Sequence, residues 1–264
     1  MAQPKVIGST AEFINAINSP QNMLGLLNSP VTPWYFGQPD PDGKLAPALY
    51  KSKMKPELER ELMREFRLLT AEFASLKSVN DADVLIAAHQ ATVPTRIIDW
   101  LGNPLAALFL AVESLAGDKN GKVWILNPWA MNELCNDLPY VPAADGEYFE
   151  KYVVNLKDPS ASPLPEAAEP MAFRPYRNLR PQNTQGVFFT VHGKKLTPLD
   201  DIKFFMKDSK QFLTSLLIDG GRKKFIMKEL HNLGVTRANL FPGVPGTVRT
   251  MLYRFSDDYL KTAL

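Results

Sequence analysis

The residues best equipped for chemistry fall in one stretch of the chain, 84–113. His89, Gln90, Thr95, Arg96, Asp99 and Asn103 are six polar or charged groups, and Trp100 stands among them. The segments on either side are apolar enough to require burial. Groups carried inside with them must be paired, so the cluster either braces itself or awaits a ligand. In the bracing reading, Asp99 accepts bonds from the N–H groups of the Gly102-Asn103 corner or pairs with Arg96, and Trp100 fills core. In the ligand reading, the same residues line a site beside an exposed corner.

The elements that must position these groups can be read from pattern. A short helical run ends at His89-Gln90, and an extended segment follows from Val93 to Trp100. Gly102-Asn103-Pro104 then opens the most apolar helix of the chain, with Asn103 as N-cap, Pro104 at the first helical position and Gly117 as its stop. Upstream, Ser9 to Glu12 forms a capping box for a short helix through Phe13, Ile14 and Ile17. Trp34-Tyr35-Phe36-Gly37-Gln38 has strand character, and its aromatics suit core packing, with Tyr35 or Gln38 facing a ligand as the alternative. Pro56 opens an amphipathic helix whose apolar stripe runs through Leu58, Leu62, Phe66, Leu69, Phe73 and Leu76. Its charged residues, Glu57, Glu59, Arg60, Glu61, Arg64, Glu65 and Arg67, are assigned to a solvated face.

Downstream, a hairpin-type turn at 118–121 leads into the strand Lys122 to Leu126. Residues 141–185 lack periodicity, and their basic end, Arg174 to Arg180 with Tyr176 between arginines, suits either a solvated loop or stacking on a base and gripping a phosphate. Gly186 to Val191 and Phe212 to Ile218 read as buried strands. A helix carrying Phe225, Ile226, Leu230 and Leu233 closes at Gly234, residues 235–241 read as extended, and Val248, Leu252, Phe255 and Leu260 mark a last helix. The irregular alternation of strands and helices predicts an α+β single domain over 1–264, with a mixed or antiparallel sheet flanked by helices, rather than a doubly wound sheet. Residues 1–30 read as an N-terminal helical extension.

Composition excludes several functions. A net charge of +2 over 264 residues gives no concentrated basic surface, so nucleic acid is a weakly supported partner. His89, His192 and His231 lie far apart and Cys135 is the only cysteine, so no metal is expected and no internal disulfide can form. No Gly-rich phosphate loop, dinucleotide fingerprint or Gly-x-Ser-x-Gly elbow occurs. The apolar run from Pro104 to Val112 is far too short to span a bilayer, and the expected location is cytoplasmic.

Pro94-Thr95-Arg96-Ile97-Ile98-Asp99-Trp100 with Asn103-Pro104-Leu105 resembles the central signature of the FRG domain. Weaker blocks follow the family's order: Tyr35-Phe36-Gly37-Gln38, Leu45 to Leu49, Arg180 with Gln185-Gly186-Val187-Phe188, and Gly234-Val235 through Leu240-Phe241-Pro242. The likeness covers about residues 31–253. Phe36 stands where the family has arginine, His89-Gln90 reverses a Gln-His pair, Thr92 replaces a glycine and Gly243 an aspartate.

The resemblance implies a bacterial or phage protein in a phage-defence setting. A weaker likeness to the ADP-ribosyltransferase fold implies NAD as cofactor. In that mapping Phe36 takes the place of a phosphate-binding arginine and Gln185 that of the catalytic acid. Neither can supply the required charge, so the chemistry would move to Arg96 with Asp99 or Glu113. The expected site joins Tyr35, Gln38, His89, Gln90, Thr95, Arg96, Asp99, Trp100, Asn103 and Arg180, with Asp99, Gln185 and Glu113 as candidate catalytic groups. Arg96 would hold phosphate, Trp100 or Tyr35 would stack a ring, and Asp99 would orient Arg96 or a ribose hydroxyl. The alternative is a non-catalytic module that recognises a protein partner.

Overall fold

A computed structural model describes residues 6–52, 54–72, 80–113, 119–158, 160–174, 187–202 and 212–260. Its strands are β1 (Val6–Ile7), β2 (Trp34–Gln38), β3 (Ile97–Leu101), β4 (Gly121–Leu126), β5 (Met171–Phe173), β6 (Val187–Val191) and β7 (Leu213–Ile218). They form one seven-stranded sheet in the order β1-β7-β4-β2-β3-β6-β5. Only β1 and β7 run parallel, and the other neighbours are antiparallel. The architecture is α+β with a mixed sheet.

The helices before and over the candidate site are α1 (Thr10–Ile17), α2 (Ala48–Lys51), α3 (Glu59–Leu69), α4 (Asp81–Gln90) and α5 (Pro104–Val112). After β4 come α6 (Pro128–Asn136), α7 (Glu147–Glu150) and α8 (Leu199–Ile202). Following β7 are α9 (Lys223–Asn232), α10 (Arg237–Leu240), α11 (Val244–Arg254) and α12 (Asp257–Leu260).

Strand alternation divides the core. On one face Tyr35, Val123, Ile125, Leu216 and Ile218 pack with α1, α5 and α9. On the same face, toward β5, Ile97, Phe189, Val191, Met171 and Phe173 pack with α3 and α4. The opposite face carries Trp34, Ile98, Trp100, Trp124 and Leu126, covered by Met131 of α6 and Leu199 and Ile202 of α8. Helix α5 lies directly on the sheet because two strand residues have no side chain. A Cβ on Gly37 would stand 1.9 Å from the Ala107 carbonyl oxygen, and one on Gly121 2.4 Å from that of Ala111.

Local signals formed as their chemistry dictates. Ser9 caps α1 by accepting from Glu12 N–H, while the Glu12 carboxylate reaches Gly8 N–H rather than that of Ser9. Asn103 accepts from Leu105 and Ala106 N–H at the start of α5. Gly234, at φ +79°, ends the α9 segment.

Other expectations need correction. Asn127 not only closes β4 but caps α6, a helix the sequence reading missed. Residues 237–240 are helical rather than extended, capped by Thr236. The first thirty residues supply the edge strand β1 as well as α1. Leu58, just before α3, and Leu69 at its end are exposed, whereas Glu59, assigned to the solvated face, is buried, as is Met63 one turn on. Gly117, Phe73 and Leu76 lie outside the described residues, as does the side chain of Leu260.

Candidate functional site

Strand β3 sends Ile97, Asp99 and Leu101 to one face and Ile98 and Trp100 to the other. Ile97 belongs to the core under α4, and Leu101 packs against the core under α5. Asp99 lies between these cores with its side chain half exposed. An interior strand of a covered sheet normally hides such a position, so the exposure marks an opening between the two helix-covered regions.

The partner of Asp99 comes from the end of α4. The His89 Nε2 approaches Asp99 Oδ1 to 2.9 Å. It does so off the line a directed hydrogen bond requires, so the two atoms are in contact without a directed bond. The other nitrogen, Nδ1, lies 2.9 Å from the hydroxyl of the fully buried Thr95, which fixes the ring.

What aims His89 is the helix end. Val93 N–H donates to Ala88 O and Thr92 N–H to His89 O, the paired bonds of a Schellman motif. That motif demands a left-handed residue after the cap, and Thr92 occupies it at φ +67°. A glycine would sit there without the steric cost a β-branched residue incurs.

Arg96 points away from this pair. It is fully buried, its Nε donates to the buried Glu59 of α3, and its Nη1 donates to Gly193 O at 3.1 Å. Tyr50 donates to the same carbonyl at 3.0 Å. His192 stacks edge-on against Tyr50, with ring centroids 5.5 Å apart. Complete burial, reinforced by the Arg96 charge, lowers the His192 pKa to about 3, so the ring is neutral. Burial, opposed by Arg96, raises the Glu59 pKa.

The other expected site residues disperse. Trp100 is in the core, donating to Thr190 Oγ1 at 3.1 Å. Gln38 is buried between Gly43 O, to which it donates at 2.6 Å, and Trp124 Nε1, from which it accepts at 3.0 Å. Tyr35 is buried, and that burial pushes its hydroxyl pKa up to about 12. Phe36, at the altered motif position, packs 6.0 Å from Trp100 in a tilted arrangement. Asn103 caps α5, Gln90 closes α4, and Glu113 pairs with Arg237. Arg180 and Gln185 lie outside the described residues.

The structure therefore brings together His89, Thr95 and Asp99, and separates from them Arg96, which is enclosed with Glu59 of α3, and Trp100 and Gln38, which belong to the opposite sheet face. Residues 32–120 match the family model of the FRG domain. The chain carries an FRG domain. No curated protein and no solved structure matches the chain. Within the FRG domain fall β2, α2 to α5 and β3, and with them every described candidate residue. The Pro-Thr-Arg-x-x-Asp-Trp motif of the FRG domain ties several elements to one strand: its threonine and aspartate contact His89 of α4, its arginine pairs with Glu59 of α3, and its tryptophan packs in the opposite layer. Sequence reasoning missed Glu59 as the partner of Arg96. The only trace was its spacing, four residues before the buried Met63 and so on the same helical face.

Among the described residues no group of three His, Cys, Asp or Glu side chains is arranged to hold a metal. No helix there is long and apolar enough to cross a membrane. Burial pushes the Cys135 thiol up to about 12, which makes it a poor nucleophile.

Proposed function

We propose that the FRG domain binds a nucleotide-like ligand at the opening over β3, through sugar hydroxyls received by Asp99, which His89 holds in place. One observation carries this reading: an aspartate on an interior strand is half exposed and held 2.9 Å from a histidine that a buried threonine orients. A carboxylate accepts from a hydroxyl, and a histidine fixed beside it keeps the carboxylate in one orientation. ADP-ribosyl transfer is the reaction class to test, and the phage-defence setting follows from the family resemblance alone. The described residues do not fit the pyrophosphate grip foreseen at Arg96, because its guanidinium is enclosed with Glu59 and Phe36 brings no charge. The reading therefore rests on hydroxyl recognition, and no transfer step is derived.

The test is a thermal-shift titration with NAD, ADP-ribose and ATP, since a ligand specific to the native state raises the melting temperature. We expect a shift with a ribose-bearing ligand that disappears in Asp99→Asn, whose own melting temperature stays near that of the parent. Absence of a shift with every nucleotide would overturn the reading.

A second reading, a module that recognises a protein partner, is favoured by a different observation. Val244, Val248, Met251, Leu252 and Phe255 recur along one side of α11 and are all exposed. Such an apolar stripe is the form of a helix that docks against another surface.

A further inference from the structure

On the sheet face opposite Asp99, a cavity of about 230 Å³ opens between the start of β2, the start of α6 and the end of β5. Its walls include Pro30, Trp34, Pro128, Trp129, Arg174 and Phe188. Trp34 and Phe188 stack in parallel, with centroids 4.5 Å apart and planes 5° apart. Register places Phe188 opposite Trp100, so its ring lies on the same sheet face as Trp34. Trp129, at the first turn of α6, is 38% exposed at the same cavity.

Arg174 supplies the polar side. Its main chain is fixed by donation to Pro142 O and acceptance from Ala144 N–H. Its guanidinium gives Nε and Nη2 to a single acceptor, Val141 O, at 3.4 and 3.2 Å. The remainder of the donor fork faces no other protein acceptor among the described residues. A planar cation fixed along one edge offers its other edge to a carboxylate or a phosphate, and indole faces offer a surface for a flat ring.

We infer that this cavity binds a small planar ligand carrying an anionic group, with the ring against the exposed Trp129 and the anion on Arg174. The volume lies below the roughly 300–1,000 Å³ of pockets for larger ligands, so one ring system fits and a dinucleotide does not. This site is independent of the opening over Asp99.

Trp34 and Trp129 provide the readout. Intrinsic fluorescence is titrated with AMP, benzoate, adenosine and inorganic phosphate. AMP, benzoate or both should quench saturably, at concentrations at least tenfold below any effect of adenosine or phosphate. Which of the two binds tells a nucleobase phosphate from an aromatic carboxylate. Arg174→Gln should weaken binding at least tenfold, and Trp129→Ala should weaken it too, with melting temperatures close to the parent. Asp99→Asn should leave the titration unchanged. No saturable quenching by either planar anion, or binding that survives Arg174→Gln but is lost in Asp99→Asn, would overturn the assignment.

Discussion

Removing either member of the Glu59–Arg96 pair should damage the fold severely, and removing both should not. Both side chains are enclosed, at 2% and 0% exposure. Taking one partner from a buried ion pair leaves an uncompensated charge and costs about 3–5 kcal/mol. In a chain of this size each kcal/mol lowers the melting temperature by about 2–4 °C, so Glu59→Leu should melt roughly 6–20 °C below the parent. In Arg96→Met the orphaned group is a carboxylate, which can escape by taking a proton. Burial already raises the Glu59 pKa and Arg96 opposes that rise, so losing Arg96 raises it further. A carboxyl whose folded pKa exceeds its unfolded value carries no penalty below the unfolded pKa of about 4.5, and the penalty grows as pH rises toward the folded value. Arg96→Met should therefore be far less stable at pH 8 than at pH 5 relative to the parent, whereas Glu59→Leu, which strands an arginine, should show no such trend. Glu59→Leu/Arg96→Met should recover most of the loss, since apolar replacement of a buried pair is often neutral. Melting curves of the four proteins at both pH values decide the matter. Single variants within about 2 °C of the parent, or a double variant no better than the sum of the singles, would refute a buried, mutually dependent pair.

Two further predictions concern backbone geometry. Thr92→Gly relieves a threonine at φ +67° and should raise stability by about 0.5–1 kcal/mol, the steric relief of about 1–2 kcal/mol being partly offset by glycine's entropy; urea denaturation measures it, and a loss of stability would contradict the Schellman geometry at His89. Gly37→Ala forces a methyl group against the Ala107 carbonyl oxygen and should cost at least about 1–3 kcal/mol; wild-type stability in the same assay would mean α5 does not lie against β2 as described.

Elements whose cause is local were legible in the sequence. Ser9 and Asn103 announced their helices because an N-cap is a matter of a few consecutive residues, and the run from Val187 to Val191 announced its strand by composition. The helix beginning at Pro128 was missed because Asn127-Pro128 serves equally as a strand terminator and a helix opener. Of the candidate site, the cluster His89, Thr95 and Asp99 was recognised, but not its division from Arg96 and Trp100. The division from Trp100 follows from strand parity: Asp99 and Trp100 are neighbours in sequence and must face opposite ways once β3 forms. Glu59 was hidden for another reason. One buried carboxylate in a run of seven charged residues leaves no compositional trace, and only its distant partner gives it meaning.

The sheet order carries a consequence for what the FRG domain is as a physical object. The matched segment 32–120 owns two strands, β2 and β3, which meet each other only at Tyr35 and Leu101. Each is zipped along its whole length to a strand from beyond the match, β2 to β4 and β3 to β6. A fragment confined to 32–120 would bare both ladders of N–H and C=O groups and associate edge to edge. The family likeness thus resides in the middle of a fabric whose selvedges are woven by the rest of the chain. Any protein that shares only this segment must bring its own strands to finish it.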